Sequence, residues 1–109
     1  MHEYGITESV VTAVTERMPG VPIACVRLEI GSLSGVSADS VRFYFGPATE
    51  GTNLAGARLE ISEVPARCRC GSCGAEFEPD GPIPLCACGS PDAQVLSGGE
   101  MRITSVETA

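Results

Sequence analysis

The sequence predicts a small α+β fold: a three-stranded, mostly antiparallel sheet covered by two helices, with a cysteine-knuckle module inserted between the last two strands. Three observations carry that prediction. Apolar residues near the start recur at helical spacing, three later segments alternate apolar with polar residues, and five of the six cysteines fall between Cys68 and Cys88. A chain of 109 residues has room for one modest core, so a metal would help a segment that buries little of its own.

The first helix rests on Ile6, Val10, Val11, Val14 and Met18, which share one stripe, with Thr7, Glu8, Thr12, Thr15 and Glu16 expected outward. Pro19-Gly20 ends it. Val26, Leu28 and Ile30 then alternate with Arg27 and Glu29 as a half-buried strand, which Gly31, Ser32, Ser34 and Gly35 interrupt. Ser37 suits an N-cap for a second helix carrying Val41, Phe43 or Tyr44, and Phe45, with Asp39 in its first turn. Gly46-Pro47 is expected to stop or kink that helix. A second strand reads from Ala57 to Val64 with Leu59 and Ile61 inward, and a third carries Met101 and Ile103 inward between Glu100, Arg102 and Thr104. Residues 1–64 with 95–109 therefore form one expected domain and residues 65–94 the inserted module.

The cysteines define that module. Cys70-x2-Cys73 and Cys86-x-Cys88 each offer two thiolates on a tight turn, and Gly74 and Gly89 permit the left-handed backbone that closes such turns. Four soft thiolates select zinc or iron over calcium or magnesium. Between Pro65 and Asp92 the only large apolar residues are Phe77, Ile83 and Leu85, so without metal the segment is expected to be disordered. Cys25, inside a strand, reads as a small buried apolar residue, Met18 and Met101 read as core, and Phe77 as packing beneath the first knuckle.

Met1-His2-Glu3 offers a second possibility. The amine of Met1, the amide between residues 1 and 2 and the imidazole of His2, the chain's one histidine, can wrap a metal in fused chelate rings. Near-planar nitrogen ligation of that kind suits Ni(II) or Cu(II), with Glu3 available for the remaining place. A solvated terminus explains the same residues without any metal.

Charge and composition exclude several classes. The net charge is −7, from 14 acidic and 7 basic residues, and no basic run is present, so nucleic acid is an unfavourable partner. The longest early apolar stretch, Val10 to Val14, is too short for a signal core or a membrane span, which makes a cytoplasmic protein without membrane contact the expectation. In a reducing compartment, closely spaced cysteines read as metal ligands before disulfides. Enzymatic activity is not expected: no second histidine can act as a base, no nucleophile elbow is present, and Gly98-Gly99 lacks the lysine and helix of a phosphate loop. A zinc-ribbon interaction module in transcription or translation and a rubredoxin-like iron electron carrier would use similar cysteine spacing.

Several segments together resemble the HypA/HybF family. They are the opening Met-His-Glu-Tyr before an amphipathic helix, Leu28-Glu29-Ile30-Gly31, Gly56-Ala57-x-Leu59-x-Ile61, the Cys-x2-Cys-Gly followed by Cys-Gly-Ser, and Gly99-Glu100-Met101-Arg102-Ile103. The likeness runs in order along almost the whole chain. Members are nickel-insertion accessory proteins for [NiFe] hydrogenase. The resemblance implies Ni(II) bound by Met1, His2 and Glu3, with His2 essential, and a structural or regulatory Zn(II) on four cysteines. It further implies a HypB-type GTPase and the hydrogenase large-subunit precursor as partners, with urease maturation served by some members, and the chain is expected as a monomer or weak dimer. The family's second knuckle is usually Cys-Pro-x-Cys, whereas Cys86-Ala87-Cys88 is one residue shorter. Two ligand sets follow: Cys70, Cys73, Cys86 and Cys88, which is favoured, or a set in which Cys68 replaces Cys86.

Overall fold

A computed structural model describes residues 2–109, the side chain of His2 excepted. In order along the chain the elements are helix α1 (His2–Arg17), strand β1 (Ile23–Gly31), helix α2 (Ala38–Thr49), and strands β2 (Arg58–Val64), β3 (Arg67–Cys70), β4 (Glu76–Phe77), β5 (Ala93–Ser97) and β6 (Met101–Thr108). They form two three-stranded sheets, ordered β2-β1-β6 and β4-β3-β5. Two compact units result: residues 2–29 with Ser37–Ser62 and Arg102–Ala109, and Ile30–Val36 with Glu63–Met101.

The first unit owes its core to the two amphipathic helices and the central strand. Val10, Val11 and Val14 of α1, Val41 and Phe45 of α2, and Ile23, Cys25, Val26 and Leu28 of β1 are all buried. Ser37 caps α2, its hydroxyl accepting the Ser40 N–H at 3.2 Å. This cap satisfies one of the first-turn donors that a helix leaves unbonded. On the opposite side of β1, Arg27 donates to Glu60 of β2 at 2.9 Å and to Glu107 of β6 at 2.8 Å. The guanidinium holds the Glu60 carboxyl below the usual carboxylate range.

Two expectations need correction. Thr7 is fully buried, not outward, because it precedes Val10, Val11 and Val14 on the same stripe, and its hydroxyl donates to the Glu3 carbonyl at 2.7 Å. Helix α2 runs past Gly46-Pro47 to Thr49. Proline so near a helix end removes a single intrahelical donor. The Thr49 hydroxyl donates to the Gly46 carbonyl at 2.9 Å and helps close that last turn. Ile103 faces α1 as expected, lining a pocket with Ala13, Val14 and Met18, but it stays 37 % exposed because β6 is an edge strand. Leu54, in the turns that follow α2, is fully buried. The Asn53 side-chain amide ties its loop down by donating to the carbonyls of Met18 and Val21, each at 2.7 Å.

The second unit contains a sheet of its own, with β3 antiparallel to both neighbours: Cys68 lies opposite Phe77 on β4 and Val95 on β5. Three backbone segments meet closely here. The Leu33 N–H donates to the Gly98 carbonyl at 2.9 Å, Ser32 N–H to the Val64 carbonyl at 2.9 Å, and Ala66 N–H to the Ser32 hydroxyl at 2.9 Å. A side chain at Gly31 would collide with the Gly98 carbonyl, and one at Gly98 would reach within 2.6 Å of Ala66 Cα. The Gly98-Gly99 pair therefore marks a backbone crossing.

Candidate metal centre

Strand β3 ends at Cys70, and the chain turns at once. The Gly74 N–H donates to the Cys70 carbonyl at 2.9 Å and the Cys70 N–H to Ala75 at 2.8 Å, folding Cys73 back beside Cys70. Gly74, at φ 77°, supplies the left-handed residue that this closure needs. Inside the turn the N–H groups of Ser72 and Cys73 both point at Cys70 Sγ, each 3.4 Å away. The second knuckle is built on fewer residues. Gly89, at φ 91°, donates its N–H to the Cys86 carbonyl at 2.8 Å, and the Cys86 N–H reaches the Ser90 carbonyl at 3.2 Å.

The two turns bring four sulfurs together. The Sγ atoms of Cys70, Cys73, Cys86 and Cys88 all lie within 4.8 Å of one another. Cys70 and Cys88 are 3.6 Å apart, and Cys73 and Cys86 are 3.7 Å apart. Four sulfurs at about 2.3 Å from a tetrahedral zinc would be separated by roughly 3.8 Å. The donor set therefore fits such an ion in number, softness and spacing. Cys68 stands outside this group: it is fully buried in β3, two residues before Cys70. Cys25 is likewise buried and distant from the cluster in sequence and unit.

The environment splits the thiols. The N–H of Cys73, aided by that of Ser72, lowers the Cys70 thiol to about 6, so Cys70 is a thiolate at neutral pH. The Cys88 N–H favours the Cys86 thiolate too, but burial and hydrogen bonds to the other cluster thiols outweigh it and push Cys86 up to about 12. At neutral pH an incoming metal must displace the Cys86 proton. Metal affinity is therefore expected to rise by about tenfold or more per pH unit between about pH 7 and about pH 9, and more steeply below about 6 where Cys70 also protonates. Competition titrations with a chelator of known proton affinity measure the slope; a flat profile would contradict it.

The N-terminal residues are placed differently. Met1 and the His2 side chain lie outside the described residues, and α1 begins at His2. The first turn of that helix is anchored. Thr7 holds the Glu3 carbonyl, and the Tyr4 ring packs edge-on against Tyr44 of α2, with centroids 5.3 Å apart. The ring pair escaped the sequence reading, which had no means of registering one helix against the other. Among the described residues no helix is long and apolar enough to cross a membrane.

Comparison with known proteins extends this picture. The family model HypA, described as hydrogenase/urease nickel incorporation, metallochaperone, matches residues 1–108. A hydrogenase maturation factor HypA from Nostoc punctiforme is 45 % identical over 107 residues, covering 98 % of this chain and 95 % of that protein. Its counterpart from Geobacter metallireducens is 45 % identical over 108 residues, covering 98 % of each. The solution structure of the Ni metallochaperone HypA from Helicobacter pylori shares the fold, with a TM-score of 0.65 at 22 % identity over 97 % of this chain and 96 % of that one. A solution structure of HypA protein superposes with a TM-score of 0.67 at 24 % identity, covering 100 % and 97 %.

Proposed function

The chain belongs to the HypA family of hydrogenase and urease nickel-incorporation metallochaperones, and from that premise we propose that it takes up Ni(II) at Met1, His2 and Glu3 and delivers it to the [NiFe] hydrogenase large-subunit precursor. It acts as a carrier and not as an enzyme. The observation that carries the reading is the family match from residue 1 to residue 108, a span that includes the Met1-His2-Glu3 sequence. Chemistry supports it as well. A metallochaperone needs ligands that can leave, and three groups at a chain end can be peeled away one at a time. The Thr7 and Tyr44 contacts keep the turn behind them in place during such an exchange.

In this proposal Cys70, Cys73, Cys86 and Cys88 hold Zn(II) as a structural or regulatory ion, and Cys68 remains a buried thiol of β3. Residues 1–64 with 95–109 serve as the nickel-binding domain and 65–94 as the zinc module. A HypB-type GTPase is the proposed nickel-handling partner, in the cytoplasm, with the chain a monomer or weak dimer. Urease accessory machinery is a second destination for the same cargo, since the family description names both enzymes.

His2→Ala is the decisive variant. Calorimetric titration should show that stoichiometric Ni(II) binding is lost, while elemental analysis still finds one zinc per chain and no iron. Unchanged nickel affinity would sink the N-terminal assignment, and iron in place of zinc would turn the reading toward electron transfer.

A further inference from the structure

We propose that Ser72 and Ser90 form a latch that positions the two cysteine knuckles against each other and slows the departure of metal from the four-sulfur centre. The inference rests on reading that centre as a metal site. The Ser72 and Ser90 hydroxyls are 2.8 Å apart, joining one knuckle to the other without passing through a cysteine. Each serine is also tied to its own turn. Ser72 directs its N–H at Cys70 Sγ, 3.4 Å away. Ser90 accepts the Cys86 N–H on its carbonyl and the Asp92 N–H on its hydroxyl, both at 3.2 Å. A parallel link lies beside them, where the Gly71 N–H donates to the Asp92 carbonyl at 2.7 Å. Gly71 can carry no side chain there, because a Cβ would strike the Asp92 carboxylate.

The shortened second knuckle explains why such a link matters. Cys86-Ala87-Cys88 has one residue between its ligands, and the turn reaches out to Ser90 for the backbone bond that completes it. The residue that finishes the turn is also the one that clasps the opposite knuckle. A hydroxyl has one donor and two acceptor positions, so Ser90 can accept from Asp92 and still bond Ser72. Both serines are positioning residues: they touch ligand-bearing turns and not the metal. Groups that orient metal ligands commonly alter affinity by about 10-fold to 100-fold when removed. Here the pair is open to water, which would replace part of the lost bond, so the effect should be smaller.

The test uses the full chain with Ser72→Ala, Ser90→Ala, the double variant and Ser90→Thr. Zinc release to excess chelator is followed, and Co(II) is substituted to read the geometry of the centre. Each alanine variant should release zinc about three- to tenfold faster, the double variant no faster than the worse single one, and Ser90→Thr at the native rate. Co(II) should give a tetrathiolate spectrum in the native chain and in Ser90→Thr; loss of that spectrum in the alanine variants with its return in threonine also counts for the latch. Unchanged release rates, or alanine effects that add, overturn the latch. Absence of a tetrathiolate spectrum in the native chain overturns the metal reading itself, so the two failures are told apart.

Discussion

Cys86→Ser should abolish metal retention and unfold the second unit while α1, α2 and β1 as far as Glu29 stay ordered. The expectation follows from what the second unit buries. Its deeply buried side chains are Ile30, Ala66, Cys68, Cys70 and Cys86, three of them cysteines, whereas Ile83 and Leu85 are 72 % and 55 % exposed. So little apolar burial cannot offset the entropy of ordering this many residues, which costs about 1–2 kcal/mol each for the backbone alone. A structural zinc site contributes on the order of 10–16 kcal/mol. On the proposed reading of the four cysteines as a zinc site, that single ion would decide whether β3, β4 and β5 pair. Amide exchange read residue by residue provides the check: protection across Arg67–Cys70 and Ala93–Ser97 should vanish and that within α1 persist. A metal-free variant that kept protection in β3 and β5 would refute the account.

Gly98→Ala should destabilise the second unit by about 2–4 kcal/mol, roughly twice the cost of Gly35→Ala. Both glycines are left-handed, at φ 77° and 76°. An alanine in that region costs roughly 1–2 kcal/mol on backbone grounds alone. Only Gly98 adds a collision. Its Cβ would stand 2.6 Å from Ala66 Cα and 2.8 Å from both the Ala66 nitrogen and the Pro65 oxygen, whereas nothing lies within 4 Å of a Cβ at Gly35. Backbone atoms cannot rotate aside as a side chain can, and overpacking typically adds about 1–3 kcal/mol. Denaturant unfolding of the two variants, followed in the same unit, separates the contributions. Equal losses would show that the crossing relaxes freely.

Regular periodicity made the first unit legible. The α1 stripe, the alternation around Val26 and Leu28, and the Ser37 cap each rest on local spacing, and all three stand in the structure. Where the pattern is short or one-sided it carries less. Strands β3, β4 and β5 have between two and five residues, too few for alternation to emerge from the glycine and proline around them. Thr7 looks polar by composition, but a hydroxyl that bonds back to its own helix can be buried among valines. Leu54 sits in a run of turns, where no period announces a core position. At the metal centre, spacing left two four-cysteine sets open. Three-dimensional placement gathers the sulfurs of Cys70, Cys73, Cys86 and Cys88, Cys70 at the end of β3 and Cys86 on a turn of its own, while Cys68 lies two residues further back in the strand and outside the group.

Arg27 has a consequence for how the first sheet finds its pairing. One guanidinium on the central strand grips a carboxylate on each neighbour, Glu60 on one side and Glu107 on the other. Slipping β1 by a single residue would reverse every side chain, turning this cation toward the valines of the helices and both acids toward empty solvent. Such a mispaired chain would hide an unneutralised charge, an arrangement costly enough to undo itself. Arg27 thus works as a proofreading key: it adds little to the finished sheet in water, yet it makes the incorrect alignments short-lived.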